Sequence, residues 1–581
     1  MPRKIGLCFF LSISLCLVGH VELAFCQLNL LYQKYGAGAV DELGSSVAII
    51  GDVNGDGRAD FVVGAPYDAG PNGSRYPKLG SAYVYSGVDG SLLYQKNSTD
   101  TFAFLGWSAK RAGDVNGDGK PDFITGAPGT DVGGLADAGA AYVYSGTNGG
   151  LLLRKYGAFA NGVFGFSVAV VGDINGDGKA DVIVGAPLVS PNGFTNAGSA
   201  YVFSGLNGAL LYQVDGAASG DRVGYSVTAP GDLNGDGKGD FIVGVPYADP
   251  GGVTDAGVAY VYSGADGALL FQKNGPMAIA HFGLAGAGVG DINGDGKPDF
   301  MIGAPDNSPG KFSGAGSVYV YSGVDGGLLY QVDGVLDNRQ FGHSVDRAGD
   351  MNADGKPDFV IGALGDSGDR GSMFIYSGAT GARLCQVDAG LYDRFFGASV
   401  SGDGDMNGDG KPEVIVGVPG AAAALAGQAL IFSADTVPPV ISCPANIKVY
   451  ATCPDESSKV VTFAATAIDG CPIPEVSCSP PSGSVFSLGI TLVTCVASDV
   501  SGNKDTCAFS VTVVNAARGD MNSDGNFTTS DVVLMLNCAF LGVGICNLCF
   551  ADLNCDGFLT PSDVVNELNL VFLGQQPVGC L

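Results

Sequence analysis

The sequence predicts a mainly β chain built around a seven-bladed β-propeller, with two smaller modules behind it. Three observations carry this. A unit of about 59 residues recurs seven times. Each unit reads as four short alternating strands bounded by Gly turns. One strand of the last unit stands at the start of the chain instead, as closure of a radial array requires.

The unit runs in a constant order: a Phe-Gly-like element, a strand, an Asp-rich loop, an apolar strand, Gly-Ala-Pro, a variable loop, Tyr-Val-Tyr-Ser-Gly and Leu-Leu-Tyr-Gln. The Asp-rich loops begin at Asp52, Asp114, Asp173, Asp232, Asp291, Asp350 and Asp405, at spacings of 62, 59, 59, 59, 59 and 55 residues. Strands such as Ser81-Ala82-Tyr83-Val84-Tyr85 alternate with the period of a pleated sheet. Gly supplies 94 of 581 residues without a collagen period, so turns and close-packed strands are abundant. The seventh unit stops at Ile431-Phe432-Ser433 without its Leu-Leu-Tyr-Gln strand. That strand is Leu30-Leu31-Tyr32-Gln33.

The Asp-rich loops have the pattern of an oxygen cage. Positions 1, 3, 5 and 9 are Asp52, Asn54, Asp56 and Asp60 in the first, and Asp114, Asn116, Asp118 and Asp122 in the second. The third has Asp173, Asn175, Asp177 and Asp181, and the fourth Asp232, Asn234, Asp236 and Asp240. The fifth has Asp291, Asn293, Asp295 and Asp299, and the sixth Asp350, Asn352, Asp354 and Asp358. The seventh has Asp405, Asn407, Asp409 and Glu413. With a backbone carbonyl at position 7 these oxygens wrap one cation of calcium's size, and hard oxygen donors favour calcium over zinc or copper. Ala353 replaces a loop Gly, and Glu413 replaces the ninth-position Asp.

Residues 29–433 resemble the FG-GAP repeats of integrin α-subunit propellers. The signature stands as Phe164-Gly165 with Gly185-Ala186-Pro187, and as Phe341-Gly342 with the weaker Gly362-Ala363-Leu364. The resemblance implies calcium loops on one face and partner-binding loops on the other. The loops after Gly-Ala-Pro, such as 67–79, 129–138 and 306–315, vary most and are the expected contact surface.

Residues 437–515 follow the linker signal Thr436-Val437-Pro438-Pro439. They contain Cys443, Cys453, Cys471, Cys478, Cys495 and Cys507, which permit fifteen pairings. Cys443-Pro444-Ala445-Asn446-Ile447 and Ser498-Asp499-Val500-Ser501-Gly502-Asn503 resemble a HYR (hyalin repeat) module. That resemblance implies an immunoglobulin-like β-sandwich, as a spacer or an adhesion-associated unit.

Residues 516–581 carry two further loops. Asp520, Asn522, Asp524, Thr528 and Asp531 occupy positions 1, 3, 5, 9 and 12 of one. Asp552, Asn554, Asp556, Thr560 and Asp563 occupy them in the other. An apolar helical stretch follows each, at 532–540 and 564–572. The pair resembles a type I dockerin, a small α-helical, EF-hand-like module, and implies a cohesin-like receptor. Pro561 and an insert bearing Cys546 and Cys549 depart from that pattern, leaving a plain calcium-stapled end domain as the other reading.

Residues 1–26 read as an export signal: Arg3 and Lys4, an apolar run over 5–18, and Ala24 and Cys26 before the cleavage point. A lipoprotein signal ending at Cys26 is the competing reading, which bulky Phe25 disfavours. A secreted or cell-surface-attached protein with disulfides follows. The apolar run 532–550 is broken by Asn537 and Asn547, so no transmembrane segment is expected. The nine loops hold 27 of 58 acidic side chains, and nine calcium ions would offset much of the net charge of −29. Such acidity excludes nucleic acid as a partner.

No catalytic site is expected. There is no Gly-x-Ser-x-Gly elbow and no His-Glu-x-x-His helix. His281, His343 and Trp107 adjoin Phe-Gly-type elements and read as packing residues. Arg518-Gly519-Asp520 spells an adhesion tripeptide, but Asp520 reads as a loop ligand. The leading functional reading is a non-catalytic adhesion, recognition or scaffold protein with an extracellular protein ligand. A lectin-like polysaccharide-binding component displayed through the dockerin-like module is the second, and would place aromatic residues at equivalent loop positions. A hydrolase-associated protein is the third.

Overall fold

The computed structural model describes residues 28–575, apart from 39, 70–77, 366–369, 391–392, 422–425, 435–437, 452–456, 469–473, 500–502, 516–517, 523, 542–550 and 554–556. The export signal, Cys453, Cys471, Cys546, Cys549, Asn554 and Asp556 lie outside the described residues.

The chain is mainly β, built from repeated four-stranded sheets. In the first repeat, Ser46–Gly51, Asp60–Ala65, Ser81–Tyr85 and Leu92–Asn97 pair antiparallel in sequence order. Burial follows the residue pattern. Asp60–Ala65 is apolar throughout after its Asp and is wholly buried. Ser81–Tyr85 is buried except at Tyr83 and Tyr85, which lie half-buried on one face. Leu92–Asn97 forms the exposed outer edge. The next five repeats copy this order with second strands Asp122–Ala127, Asp181–Ala186, Asp240–Val245, Asp299–Ala304 and Asp358–Ala363, all buried.

The seventh sheet takes three strands from its own repeat, Ser399–Gly404, Glu413–Val418 and Gln428–Ala434, and its fourth from the N-terminal segment Leu28–Tyr35. The last pair is antiparallel, with Tyr32 opposite Ile431 and Gln33 opposite Leu430. Among the described residues there are seven such sheets in 28–434. Their first strands touch in cyclic order, Ser46–Gly51 meeting both Ser108–Gly113 and Ser399–Gly404.

The core lies between neighbouring sheets. Val115, Ile124 and Val143 of the second repeat pack with Phe164, Val168 and Val182 of the third. A backbone contact fixes the spacing. A Cβ on Gly64 would stand 1.9 Å from the Gly106 carbonyl oxygen of the next repeat, so only glycine fits. The same carbonyl accepts from Ser46 Oγ at 2.8 Å. Ser108 donates to Gly165 O at 3.0 Å, Ser167 to Gly224 O and Ser226 to Gly283 O at 2.8 Å, and Ser344 to Gly397 O at 2.8 Å. Ser399 donates to Gly44 O at 2.9 Å and closes the circuit. The fifth repeat has Ala285 in place of this serine. On the outside, Lys34 lies over the Tyr85 ring of the neighbouring sheet at 5.2 Å, and Lys96 over Tyr144 at 5.7 Å.

After 434 the architecture changes. Ile447–Tyr450, Lys504–Val514, Gly489–Ser498 and Glu475–Ser479 form one sheet, with Ile447–Tyr450 parallel to its neighbour. Val493, Ala497, Phe509, Val511 and Phe486 form its core. Cys443 is bonded to Cys507 and Cys478 to Cys495, which settles four of the six cysteines. Two helices end the described chain: α1 (Thr529–Leu536), continued by a π-helical turn over Asn537–Leu541, and α2 (Pro561–Leu573). Among the described residues no helix is long and apolar enough to cross a membrane.

The glycine contact yields a paired test. Gly64→Ala places a methyl against backbone that cannot yield, and should destabilise the chain by about 2–3 kcal/mol or more in denaturant unfolding. Gly57→Ala meets nothing within 4 Å. It pays only the left-handed backbone cost of about 1–2 kcal/mol at φ +86. Equal losses would deny the carbonyl contact its role.

Candidate metal loops and recognition face

Each Asp-rich loop joins the first two strands of its sheet, and the first shows how the sequence folds it. Asp52 Oδ1 accepts from the Gly55 and Asp56 amides at 2.5 and 3.1 Å, and Oδ2 from Gly57 at 3.0 Å. Asn54 Oδ1 accepts from Asp56 N at 2.9 Å, and Asp56 Oδ1 from Arg58 N at 2.9 Å. Asp60 is fully buried; its Oδ2 accepts from Val53 and Asn54 at 2.9 and 3.3 Å, and Oδ1 from Gly87 at 3.0 Å. Side-chain oxygens thus organise the backbone of a loop too short for internal secondary structure.

The other loops repeat this. Asp122, Asp181, Asp240, Asp299 and Asp358 are fully buried, and each accepts from the amide of its loop's second residue at 2.8–3.0 Å. Asp114, Asp173, Asp232, Asp291 and Asp350 cap the position-6 glycine at 2.8–3.0 Å. Asn116, Asn175, Asn234, Asn293, Asn352 and Asn407 each accept from the amide of position 5, held by Asp118, Asp177, Asp236, Asp295, Asp354 and Asp409. In the seventh loop Asp405 caps Gly410 at 3.1 Å, and buried Glu413 fills the ninth position by accepting from Met406 N at 2.5 Å. Ala353 sits at φ +59 where the other loops have glycine.

Charge is concentrated and poorly balanced. Burial pushes Asp60 up to about 6 against its amide donors, with Asp56 adding to the rise. Burial pushes Asp358 to about 7 and Glu413 to about 8, with neighbouring loop aspartates contributing. Basic residues at position 7 reach the preceding loop: Lys120 Nζ to Asp52 Oδ2 at 3.4 Å, Lys238 Nζ to Asp173 O at 2.9 Å, and Arg58 to Asp405 at 3.9 Å across the closing seam. Lys411 Nζ donates to Asn503 Oδ1 at 3.2 Å, linking the seventh loop to the following module. The donor set is all oxygen, which fits a hard cation of calcium's size. Among the described residues no three acidic, His or Cys side chains converge as a ready-made metal cluster, because the carboxylates face loop amides.

The C-terminal loops are built alike. Asp520 accepts from Asp524 N and Gly525 N at 3.1 and 2.8 Å, and Asn522 Oδ1 from Asp524 N at 3.0 Å. Asp531 takes Asn522 N at 3.2 Å and Thr528 N at 2.9 Å. In the other loop Asp552 accepts from Gly557 N at 2.8 Å, and Asp563 from Leu553 N and Thr560 N at 2.9 and 2.8 Å. Thr528 and Thr560 also serve as N-caps of α1 and α2. Asp520 is buried, which removes it from any exposed adhesive tripeptide.

The opposite ends of the first strands form a different surface, of which sequence alone singles out only Trp107, His281 and His343, as packing residues. Trp107, Phe166 and Tyr225 stand at the same place in three successive repeats. Ring centroids lie 5.5 Å apart for Trp107–Phe166, 4.9 Å for Phe166–Tyr225, 5.9 Å for Tyr225–Tyr247 and 4.8 Å for Tyr247–His281. Arg222 covers Tyr247 at 4.2 Å, and His281 Nδ1 meets Asp306 Oδ2 at 2.6 Å. Trp107, Phe166 and Tyr225, all half-exposed, line a cavity of about 240 Å³ on the sheet axis together with Ser45 and His343, and Tyr247 and His281 continue this crescent beyond its lining. A second axial cavity of about 270 Å³ is charged, with Lys110 3.6 Å from Asp346 and Arg347 paired to Asp403. The position after the Phe-Gly element, aligned across repeats, was the signal available for the crescent.

Comparison with known proteins agrees with the repeat geometry. Residues 43–85, 111–144, 164–203, 223–262, 282–321 and 396–432 match the FG-GAP repeat family, and residues 434–513 match the HYR domain. The chain carries FG-GAP repeats and a HYR domain. The sheet over 341–388, whose Gly-Ala-Pro ends in Leu364, is outside the matched FG-GAP segments. Integrin alpha-5 of Xenopus laevis is 34% identical over 212 residues, covering 33% of this chain and 19% of that protein. Integrin alpha-V of Gallus gallus is 32% identical over 222 residues, covering 36% and 21%. Human integrin alpha-IIb is 31% identical over 272 residues, covering 42% and 25%. The chain thus spans no more than a quarter of the length of these relatives.

The sixth loop, in the sheet outside the matched segments, offers a test. Ala353→Gly should stabilise the protein by up to about 1 kcal/mol, read as a raised denaturation midpoint, because it removes a left-handed Cβ. An unchanged or lowered midpoint would show that this loop does not hold position 4 left-handed.

Proposed function

We propose that this is a secreted, calcium-loaded, non-catalytic recognition or scaffold protein. Its seven-bladed propeller presents one face to an extracellular protein partner and carries cations at the other. The aromatic crescent Trp107–Phe166–Tyr225–Tyr247 is the observation that carries the reading. Aromatic rings joined in one half-exposed arc around an axial cavity offer stacking and apolar contact that a folded chain does not need for its own core. The crescent and the Asp-rich loops stand at opposite ends of the first strands, so partner contact and cation binding need not compete. The adhesion proteins among the relatives support the same reading.

Calcium is proposed at nine loops: seven in the propeller, with ligands at positions 1, 3, 5 and 9, and two in the C-terminal module. The fit rests on the all-oxygen donor set and on buried carboxylates that burial and like charges hold above their ordinary range. A divalent ion would relieve both. The HYR unit, an immunoglobulin-like sandwich over 437–515, would space the propeller from a dockerin-like module over 516–581 that attaches to a cohesin-like receptor. A second reading, a polysaccharide ligand, is favoured by one observation: Trp107, Phe166 and Tyr225 occupy equivalent positions, as a sugar-stacking surface requires.

Two measurements test this. Equilibrium dialysis should count close to nine calcium ions per chain, and excess chelator should lower the melting temperature sharply. At 100 times the dissociation constant each site contributes about 2.7 kcal/mol. Unchanged melting with little bound metal would overturn the calcium reading. Trp107→Ala with Tyr225→Ala should weaken binding to an arrayed panel of matrix proteins by tenfold or more, about 1.4 kcal/mol, at unchanged melting temperature. Loss on a polysaccharide array instead would favour the second reading, and no loss on either would exclude the crescent.

A further inference from the structure

Glu567 is anomalous in the C-terminal module. It lies in α2, is 0% exposed, and among the described residues neither carboxylate oxygen has a hydrogen-bond partner. A buried carboxylate without a partner is among the costliest groups a fold can carry. Its surroundings make matters worse, since beyond its burial it feels the like charges of Asp531 and Asp520 in the other half of the module. Its Oε2 stands 2.3 Å from where a Cβ of Gly519 would be, so it is pressed against the backbone leading into Asp520. Arg518 donates from Nη1 to the Asp552 carbonyl at 2.8 Å.

The internal duplication shows what the position holds when no charge is needed. Aligning the capping residues Thr528 with Thr560 and Asp531 with Asp563 places Glu567 opposite Met535. Met535 is likewise 0% exposed, and packs with Ala551, Leu553 and Val564. One half therefore fills the site with an apolar side chain beside the second loop. The other aims an orphaned carboxylate into the first.

We propose that Glu567 supplies a carboxylate oxygen to a calcium ion held by the loop of Asp520, Asn522, Asp524 and Asp531, so that a single ion ties α2 to the loop that precedes α1. This rests on the calcium reading above and adds to it a ligand from outside the loop. The ion gains a fourth carboxylate, which raises affinity through ligand charge. The module gains a cross-link between its halves that exists only when calcium is bound, so α1 and α2 order together.

Hydrogen–deuterium exchange of the full chain over a calcium titration tests this, read on peptides covering 518–536, 561–573 and, as reference, 46–65. In the native chain, 518–536 and 561–573 should gain protection at one shared calcium midpoint. Glu567→Gln should move that midpoint roughly tenfold or more upward while leaving 46–65 unchanged. Glu567→Met, which restores the residue type of the duplicate, should raise protection without calcium and show the same upward shift, which covers the case in which the Gln variant folds poorly. Unchanged midpoints in both variants, with calcium still protecting 518–536, would overturn the role of Glu567 alone. No calcium response in any of the three segments would overturn the calcium reading itself.

Discussion

The array of sheets over 28–434 depends on one contact: a glycine carbonyl of one sheet resting on a bare glycine Cα of the sheet before it. Gly106 O meets Gly64 in this way, and Ser46 holds the same oxygen with its hydroxyl. Repeated from sheet to sheet, and returned from Ser399 to Gly44, it sets the distance at which Phe164, Val168 and their equivalents interleave. A side chain at these glycines would hold the sheets apart and open the inter-sheet core. The glycine pairs therefore explain why the Phe-Gly and Gly-Ala-Pro elements recur as words: each is one side of the same joint.

That joint also separates two chemistries. The first strand of each sheet is six residues or more in length, and it carries an aromatic, aliphatic or small residue at one end and an aspartate loop at the other. The apolar middle excludes water from the ninth-position carboxylates, which is why burial lifts Asp60, Asp358 and Glu413. The amide donors that organise each loop offset only part of this. The fold thus keeps acidic groups in places where their charge is expensive, and position-7 basic residues tie the second loop to the first, the fourth to the third and the first to the seventh.

Much of this was legible from residue order alone. Seven Asp-rich loops at near-constant spacing, the alternation in Ser81–Tyr85 and the displaced Leu-Leu-Tyr-Gln are local patterns, and local patterns survive without coordinates. The crescent was not legible because its members are separated by whole repeats and each, taken singly, reads as packing. Glu567 was hidden for a related reason. In the run Val565-Asn566-Glu567-Leu568 it reads as a polar residue on a helix surface, and only the duplicate, with Met535 buried, reveals a core position. The disulfides needed strand neighbours: Cys495 stands opposite both Cys478 and Cys507, and chain order does not choose between them.

The pairing of Leu28–Tyr35 with Gln428–Ala434 has a consequence for biosynthesis. Gln33 and Gln428, joined side chain to side chain at 2.7 Å, are 395 residues apart. The earliest strand of the ring to leave the ribosome must wait for almost the latest, and through that interval the nascent chain exposes an unpaired edge at each end. Six sheets can assemble from consecutive strands as they emerge; the seventh cannot. A circular permutant opened between two intact sheets would remove this delay without altering a single contact of the finished ring.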